Sequence, residues 1–182
     1  MENYREKTFN GEILDQNLIV QLNWLEGRDR LKRLHPAREY WGAALGFRPG
    51  LHSLMPPDLR SRLAAPKRNP PRMWMPKGAI GINGSATCIY PDQTTPGGCQ
   101  IFVRTPMPTW DKTRLLPAFE DRLALVKAGD RIKFALIERE ECDHIEAKVA
   151  EGGYPTRMWT TGVFRSVRTK PGQAVLKAKG VA

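Results

Sequence analysis

The sequence predicts a mainly β, barrel-like domain with a short N-terminal extension of strand and helix, and three observations carry that prediction. Apolar and polar residues alternate in "AIGING" (Ala79–Gly84), "CQIFVRT" (Cys99–Thr105) and "RIKFALI" (Arg131–Ile137). Turn signals separate these runs, with Asn83-Gly84 a strong hairpin signal and Gly129-Asp130 preceding the last of them. Pro49, Pro56, Pro57, Pro66, Pro70, Pro71 and Pro76 forbid a long helix across the stretch before them.

Within Phe9–Leu25, Val20, Leu22 and Trp24 alternate with Gln21 and Asn23, which predicts a strand. Arg28–Leu45 reads as helix in two short pieces broken by Pro36. Gly46–Pro76 reads as extended, turning backbone, and a stretch of that length in a compact domain is functional or laid over a surface. From Gly78 the chain becomes β, with one strand at Ile80 and Ile82, a second ending at Tyr90, a third at Cys99–Thr105 and a fourth at Arg131–Ile137. A helix is predicted over Arg139–Ala150, with Ile145 and Val149 among charged residues and Gly152-Gly153 to end it. "YPTRMWTTGVFRSV" from Tyr154 predicts a last strand pair, and the small and basic residues from Lys170 predict a frayed tail. The alternation places Ile80, Ile82, Ile101 or Phe102, and Ile132 or Phe134 in the core. The corresponding organisation is an N-terminal extension at 1–39 packed on the barrel, the barrel domain at 40–168 and a basic tail at 169–182.

The 182 residues suit one domain able to bury its own core. Cys88, Cys99 and Cys142 fit no zinc or redox spacing, and an odd count argues against a disulfide framework. A bridge between Cys88 and Cys99 stays open if their strands pair. No apolar run is long enough to span a membrane, and "MENYREKTFNGE" has no apolar stretch of the kind a secretory signal carries, so the expected compartment is the cytoplasm. The net charge of +10 is clustered. Arg60, Arg62, Lys67, Arg68, Arg72 and Lys77 follow one another without an acid, as do Arg157, Arg165, Arg168, Lys170, Lys177 and Lys179. Such clusters suit a solvated surface or an anionic small molecule. The aromatic spacing matches no nucleic-acid recognition module, which disfavours that partner.

"GFRPG" (Gly46–Gly50), "PKRNPPRMWMPKGAIGINGSATCIYPDQTTPGGCQIFVRTPMPTWD" (Pro66–Asp111) and "LVKAGDRIKF" (Leu125–Phe134) together resemble the first subunit of allophanate hydrolase. That family, also called the KipI family, includes one of the subunits of bacterial 5-oxoprolinase. The resemblance is closest to the matching half of the carboxyltransferase region of urea carboxylase, and it runs from Tyr40 to Phe164. It implies a cyclophilin-like β-barrel without prolyl isomerase activity. It also implies a partner, since members work as two related halves on amide or urea groups. The carboxyl group arrives on biotin in urea carboxylase, and ATP drives lactam opening in 5-oxoprolinase. No cofactor is expected on this chain itself, since family members use ATP or biotin through other domains. It carries no Gly-x-x-x-x-Gly-Lys-Ser/Thr loop, and "MPKG" (Met75–Gly78) is not a biotin attachment site.

Three departures from the family pattern stand out. Met1–Glu39 has no Tyr-Gly-Gly-x-x-Gly-Pro-Asp-Leu string. Pro49-Gly50-Leu51-His52-Ser53-Leu54 replaces Pro-Gly-Phe-x-Tyr-Leu, and Pro-Gly-Gly-Cys99 replaces Pro-Gly-Gly-Trp.

The long connection between Cys88–Tyr90 and Cys99–Val103 closes on Pro96-Gly97-Gly98, whose bare backbone can approach another surface and present N–H groups to a ligand oxygen. A plain hairpin loop would instead need a glycine at positive φ. With the resemblance, the loop is read as a ligand-facing rim with Gly97 and Gly98 as binding positions. Arg72 and Arg104 are the first candidates for catalysis, because an arginine fork grips a carboxylate. His52 is the histidine to test as acid or base; it, His35 and His144 show no metal-ligand spacing, and no metal is expected. Lys67, Arg68, Asn69 and Arg72 line the rim if the proline-rich stretch folds across the barrel, and Tyr90 and Gln100 orient a polar ligand from neighbouring strands.

The expected function is therefore an enzyme half acting on an amide or carbonyl group of a small molecule with a second cyclophilin-like subunit. The alternatives are a stand-alone barrel catalysing a cofactor-free cyclisation or isomerisation, and a non-catalytic regulatory binder.

Overall fold

The structure, a computed structural model, describes residues 13–91 and 95–154 together with the backbone of 167–170 and 173–175. Six antiparallel strands form the main sheet: β1 (Glu39–Leu45), β2 (His52–Met55), β4 (Ala79–Asn83), β5 (Ala86–Ile89), β7 (Gln100–Arg104) and β8 (Arg131–Lys133). Their order across the sheet is β7-β4-β5-β2-β1-β8. β3 (Arg72–Met75) and β6 (Thr95–Gly97) pair separately. β9 (Val167–Lys170) and β10 (Gln173–Val175) make a second small antiparallel pair, with β10 in the stretch where the sequence predicts a frayed tail. The predicted strand pair of "YPTRMWTTGVFRSV" falls mostly at 155–166, outside the described residues.

The mainly β prediction holds, but no closed barrel forms among the described residues, because β7 and β8 remain the two outer strands of the sheet. Alternation located β4, β5 and β7 well. The β4–β5 turn is shifted by one residue: Asn83 pairs with Ala86, so Gly84-Ser85 forms the loop. Ile80, Ile82, Phe102, Ile132 and Phe134 are all buried, while Ile101 is half-buried on the opposite face. Each fully buried side chain of this kind contributes about 1.5–3 kcal/mol.

The N-terminal strand prediction is overturned. Asp15–Leu22 is a helix, α1. Its buried residues are Asp15, Leu18 and Ile19, with Leu22 packed on the same core, a helical and not an alternating spacing. Trp24 belonged to the apparent alternation only by accident. It sits at φ 48°, 93% exposed, where the helix ends. Leu25 N–H reaches Val20 O and Trp24 N–H reaches Gln21 O, which closes the helix as a Schellman turn. Asn23 then ties this end to the proline-rich stretch: its Nδ2 donates to Ala64 O and its Oδ1 accepts from Ala64 N, both at 2.8 Å.

α2 (Arg28–Leu34) meets the prediction only up to Pro36, after which the chain enters β1 in place of a second helical piece. α3 (Arg139–Ala150) has the predicted bounds and buries Cys142 and Ile145. α1 and α2 pack together, and α1 lies along β7.

Candidate functional site

The site is assembled by sewing the proline-rich stretch onto the Pro96-Gly97-Gly98 loop. β3 pairs with β6, placing Arg72 opposite Gly97 and Met75 opposite Thr95. Arg68 N–H donates to Gly98 O at 2.7 Å, and Gln100 Nε2 donates to Pro66 O at 3.0 Å. The stretch does fold across the loop, and this brings Lys67, Arg68 and Arg72 to one edge of it.

From β3, Arg72 reaches two groups. One guanidinium nitrogen donates to Cys99 O at 3.0 Å and the other to Asp15 Oδ2 at 2.5 Å. Asp15 opens α1 and is 9% exposed. The same Oδ2 accepts the Ile101 N–H of β7 at 2.7 Å. Arg68 stands 3.7 Å from Asp15 Oδ1, a charge contact longer than a hydrogen bond. Next along α1, Gln16 Nε2 donates to Phe102 O at 2.7 Å. Asp15, Gln16, Arg68, Arg72 and Ile101, with Ile13 and Leu14, line a cleft of about 520 Å³. One carboxylate faces two guanidiniums there, leaving one positive charge in excess, with exposed Lys67 close by.

Glycine serves this loop by close packing and not by backbone conformation. The described glycines at positive φ are Gly50, Gly78, Gly84, Gly129 and Gly152, not Gly97 or Gly98. A Cβ on Gly97 would overlap the Tyr90 hydroxyl and lie 2.6 Å from both Cε1 and Cζ of its ring. A Cβ on Gly98 would meet Arg68 O at 3.2 Å.

The other predicted residues are placed elsewhere. Tyr90 is buried and its hydroxyl donates to Cys99 Sγ at 3.2 Å; Gln100 is fully buried behind Pro66. Neither lines the cleft. Asn69 is exposed, next to the cleft residue Arg68. Arg104 turns to α3, where its fork grips Glu146 at 2.5 and 3.2 Å, and it is absent from the cleft lining. His52 is 1% exposed on β2, and neither ring nitrogen has a well-formed hydrogen bond.

Burial pushes the His52 pKa down to about 4, partly offset by the Thr109 backbone and the Asp130 carboxylate. His35, enclosed by Tyr40, Phe102 and Phe134, is pushed down to about 3 by burial and by Arg38. Both folded values lie below the unfolded 6.5, so the unfolded chain takes up these protons first. Stability from the two uncharged imidazoles is therefore full above pH 6.5 and is lost as pH falls, toward about 4 for His52 and about 3 for His35. We expect the unfolding free energy to fall through that window at up to about 1.4 kcal/mol per pH unit for each histidine, and the melting temperature to fall with it. In His52→Leu the slope between pH 6 and 4 should be about half that of the wild type. An unchanged slope would remove His52 from the account.

The sequence reading missed Asp15 and Gln16. The spacing of Leu18, Ile19 and Leu22 behind Asp15 was the available signal, since an acid opening an amphipathic helix is a helix-start pattern.

A family model described as carboxyltransferase domain, subdomain C and D, matches residues 15–119. A 5-oxoprolinase subunit of Bacillus subtilis is 33% identical over 127 residues, covering 70% of this chain and 49% of that protein. The corresponding 5-oxoprolinase subunit of Escherichia coli is 37% identical over 101 residues, 56% of this chain and 42% of its own. The crystal structure of the K. lactis urea amidolyase superposes with a TM-score of 0.75 at 26% identity, over 89% of this chain and 10% of that one. The chain thus spans about half the length of the bacterial relatives and a tenth of the yeast enzyme.

Proposed function

The chain belongs to the family of carboxyltransferase domains, subdomain C and D, and from that membership we propose that it is one half of an enzyme acting at the amide carbonyl of a small, carboxylate-bearing substrate. The observation that carries this reading is the charge of the cleft. Arg72 is committed to Cys99 O and Asp15, whereas Arg68 lies beyond hydrogen-bond distance of Asp15 and keeps donors for a ligand. An arginine with one carboxylate already shared by its neighbour suits a second carboxylate. The names of the relatives offer 5-oxoproline, a lactam with a carboxylate, and urea, which is neutral. The excess positive charge favours the lactam. Arg72 positions the rim, Arg68 and Lys67 hold the anionic end, and Asn69 and the Gly97-Gly98 backbone border it. In this reading Arg104 serves α3, and any ATP or biotin is handled by another domain. The bacterial relatives are named as subunits, which supports a second chain as partner.

Calorimetric titration of 5-oxoproline and of urea into the wild type and Arg68→Ala tests the site. Arg68→Ala is used because it leaves the Arg72–Asp15 pair intact. We expect 5-oxoproline to bind in preference to urea, and Arg68→Ala to weaken it about tenfold, the loss of one charge-assisted hydrogen bond. Equal affinities for the two compounds, untouched by Arg68→Ala, would overturn the assignment. Purification from native extract tests the partner: a chain that runs alone, without a second subunit in stoichiometric amount, would favour the stand-alone barrel.

A further inference from the structure

The polar side chains that line the cleft are nearly all engaged with the protein itself. Asp15 accepts from Arg72 and from the Ile101 N–H. Arg72 divides its donors between Asp15 and Cys99 O. Gln16 Nε2 donates to Phe102 O, which leaves the Gln16 side-chain oxygen as an acceptor for a ligand N–H. Arg68 lies beyond hydrogen-bond distance of Asp15 and keeps its donors. A ligand therefore meets one guanidinium and one amide oxygen among the lining side chains. A sugar, whose many hydroxyls each need a partner, finds too few of them here.

The rest of the lining is apolar. Ile13 is 40% exposed and Leu14 is 61% exposed, and Ile101 is half-buried on β7. Leu14 is also the residue that caps α1, and it makes no side-chain capping bond. Serine, threonine, aspartate or asparagine is favoured there. A large aliphatic side chain thus stands in solvent where a small polar one would stabilise the helix. The cleft of about 520 Å³ falls in the range of sites that enclose drug-sized molecules, roughly 300–1,000 Å³. A single lactam ring leaves much of it unfilled.

We propose that the cleft takes an N-acyl amino acid, with the carboxylate on Arg68, the amide N–H on Gln16 and an aliphatic acyl tail laid over Ile13, Leu14 and Ile101. With Arg68 as the carboxylate anchor of the proposed function, on which this rests, the substrate class narrows from small amide acids to acylated amino acids. 5-Oxoproline is the compact cyclic case, its nitrogen acylated by its own side chain. An open-chain relative keeps the same carboxylate and amide and adds apolar surface that the wall removes from water. The cleft is open, so one side of the tail stays in solvent and each methylene gains about half of what full burial gives.

The test is calorimetric titration of N-acetylglycine, N-butanoylglycine and N-hexanoylglycine, with 5-oxoproline alongside, into the wild type, Arg68→Ala and Leu14→Ser. In the wild type each added methylene should tighten binding about twofold, and the hexanoyl compound should bind on the order of tenfold more tightly than the acetyl one. Arg68→Ala should weaken every acid about tenfold and keep the dependence on chain length. Leu14→Ser should cut that dependence to about half, and it should fold, because serine caps a helix better than leucine. Ile13→Ser repeats the measurement on the neighbouring side chain. If 5-oxoproline binds through Arg68 but the three acylglycines bind alike, the tail assignment is overturned and the carboxylate site stands. If none of the acids binds, or none responds to Arg68→Ala, the carboxylate site fails and the tail assignment with it. A chain-length dependence unchanged in both Leu14→Ser and Ile13→Ser would place the tail elsewhere and overturn the proposal.

Discussion

Gly97→Ala is expected to destabilise the protein and dismantle the rim, whereas Gly98→Ala, one residue on, is expected to be nearly silent. Carbon atoms in contact rest about 3.5–4.0 Å apart. The new methyl on Gly97 would lie 2.6 Å from two ring carbons of Tyr90. That ring is 4% exposed and is held by its hydrogen bond to Cys99 Sγ, so it has no solvent to swing into. The alternative is for β6 to retreat from β5, and Arg72 would move with it, since Gly97 is its partner across the β3–β6 pair. Overpacking of this kind costs about 1–3 kcal/mol, which corresponds to roughly 2–12 °C in melting temperature for a chain of this size. At Gly98 the φ is not positive and the nearest atom is at 3.2 Å, so a shift of a few tenths of an ångström relieves the contact. Thermal melts of the two variants, with 5-oxoproline titrations on each, make the comparison. Equal melting temperatures for Gly97→Ala and the wild type would show that Tyr90 can yield, and would refute the packing account.

The second large effect is expected at Asp15. Asp15→Ala removes the acceptor for Arg72 and for the Ile101 N–H together. It leaves a guanidinium only 25% exposed with its charge unpaired. Breaking one side of a buried pair costs about 3–5 kcal/mol, and the partial exposure of Arg72 brings the expectation to roughly 2–4 kcal/mol. The melting temperature should fall by roughly 10 °C. Asp15→Asn separates charge from shape. It keeps an acceptor oxygen for Ile101 and loses the carboxylate, so it should fall between the wild type and alanine. Both variants melting with the wild type would mean that the contact contributes no net stability.

Local patterns were readable and distant pairings were not. β7 announces itself because its burial alternates, β4 because Ile80 and Ile82 alternate with Gly81 although both of its faces are buried, and α3 because Ile145 and Val149 recur at helical spacing before Gly152. The N-terminal segment misled because Val20, Leu22 and Trp24 happen to alternate, and only burial of Leu18 and Ile19 against exposure of Trp24 decides for the helix. Arg72 stood out in the basic stretch, but its partner Asp15 lies 57 residues away and no local rule joins them. Arg104 illustrates the same limit. Its fork meets Glu146, 42 residues on, so a strand-end arginine that reads as a ligand clamp is spoken for by a helix. Gly97 and Gly98 read as bare backbone open to a ligand, while the structure uses Gly97 as absent volume against Tyr90.

The contacts of Asp15 and Gln16 with β7 have a colloidal consequence. β7 is an outer strand, and an outer strand offers its spare N–H and C=O groups to any extended segment that arrives, including the same strand of another molecule. Here Asp15 occupies the Ile101 N–H and Gln16 occupies the Phe102 carbonyl. Two side chains thus stand in for a neighbouring strand. A second molecule seeking to add itself must first displace α1 and break two hydrogen bonds, one of them to a carboxylate. The residue that balances the arginines therefore also guards the β7 edge of the sheet against pairing with another molecule.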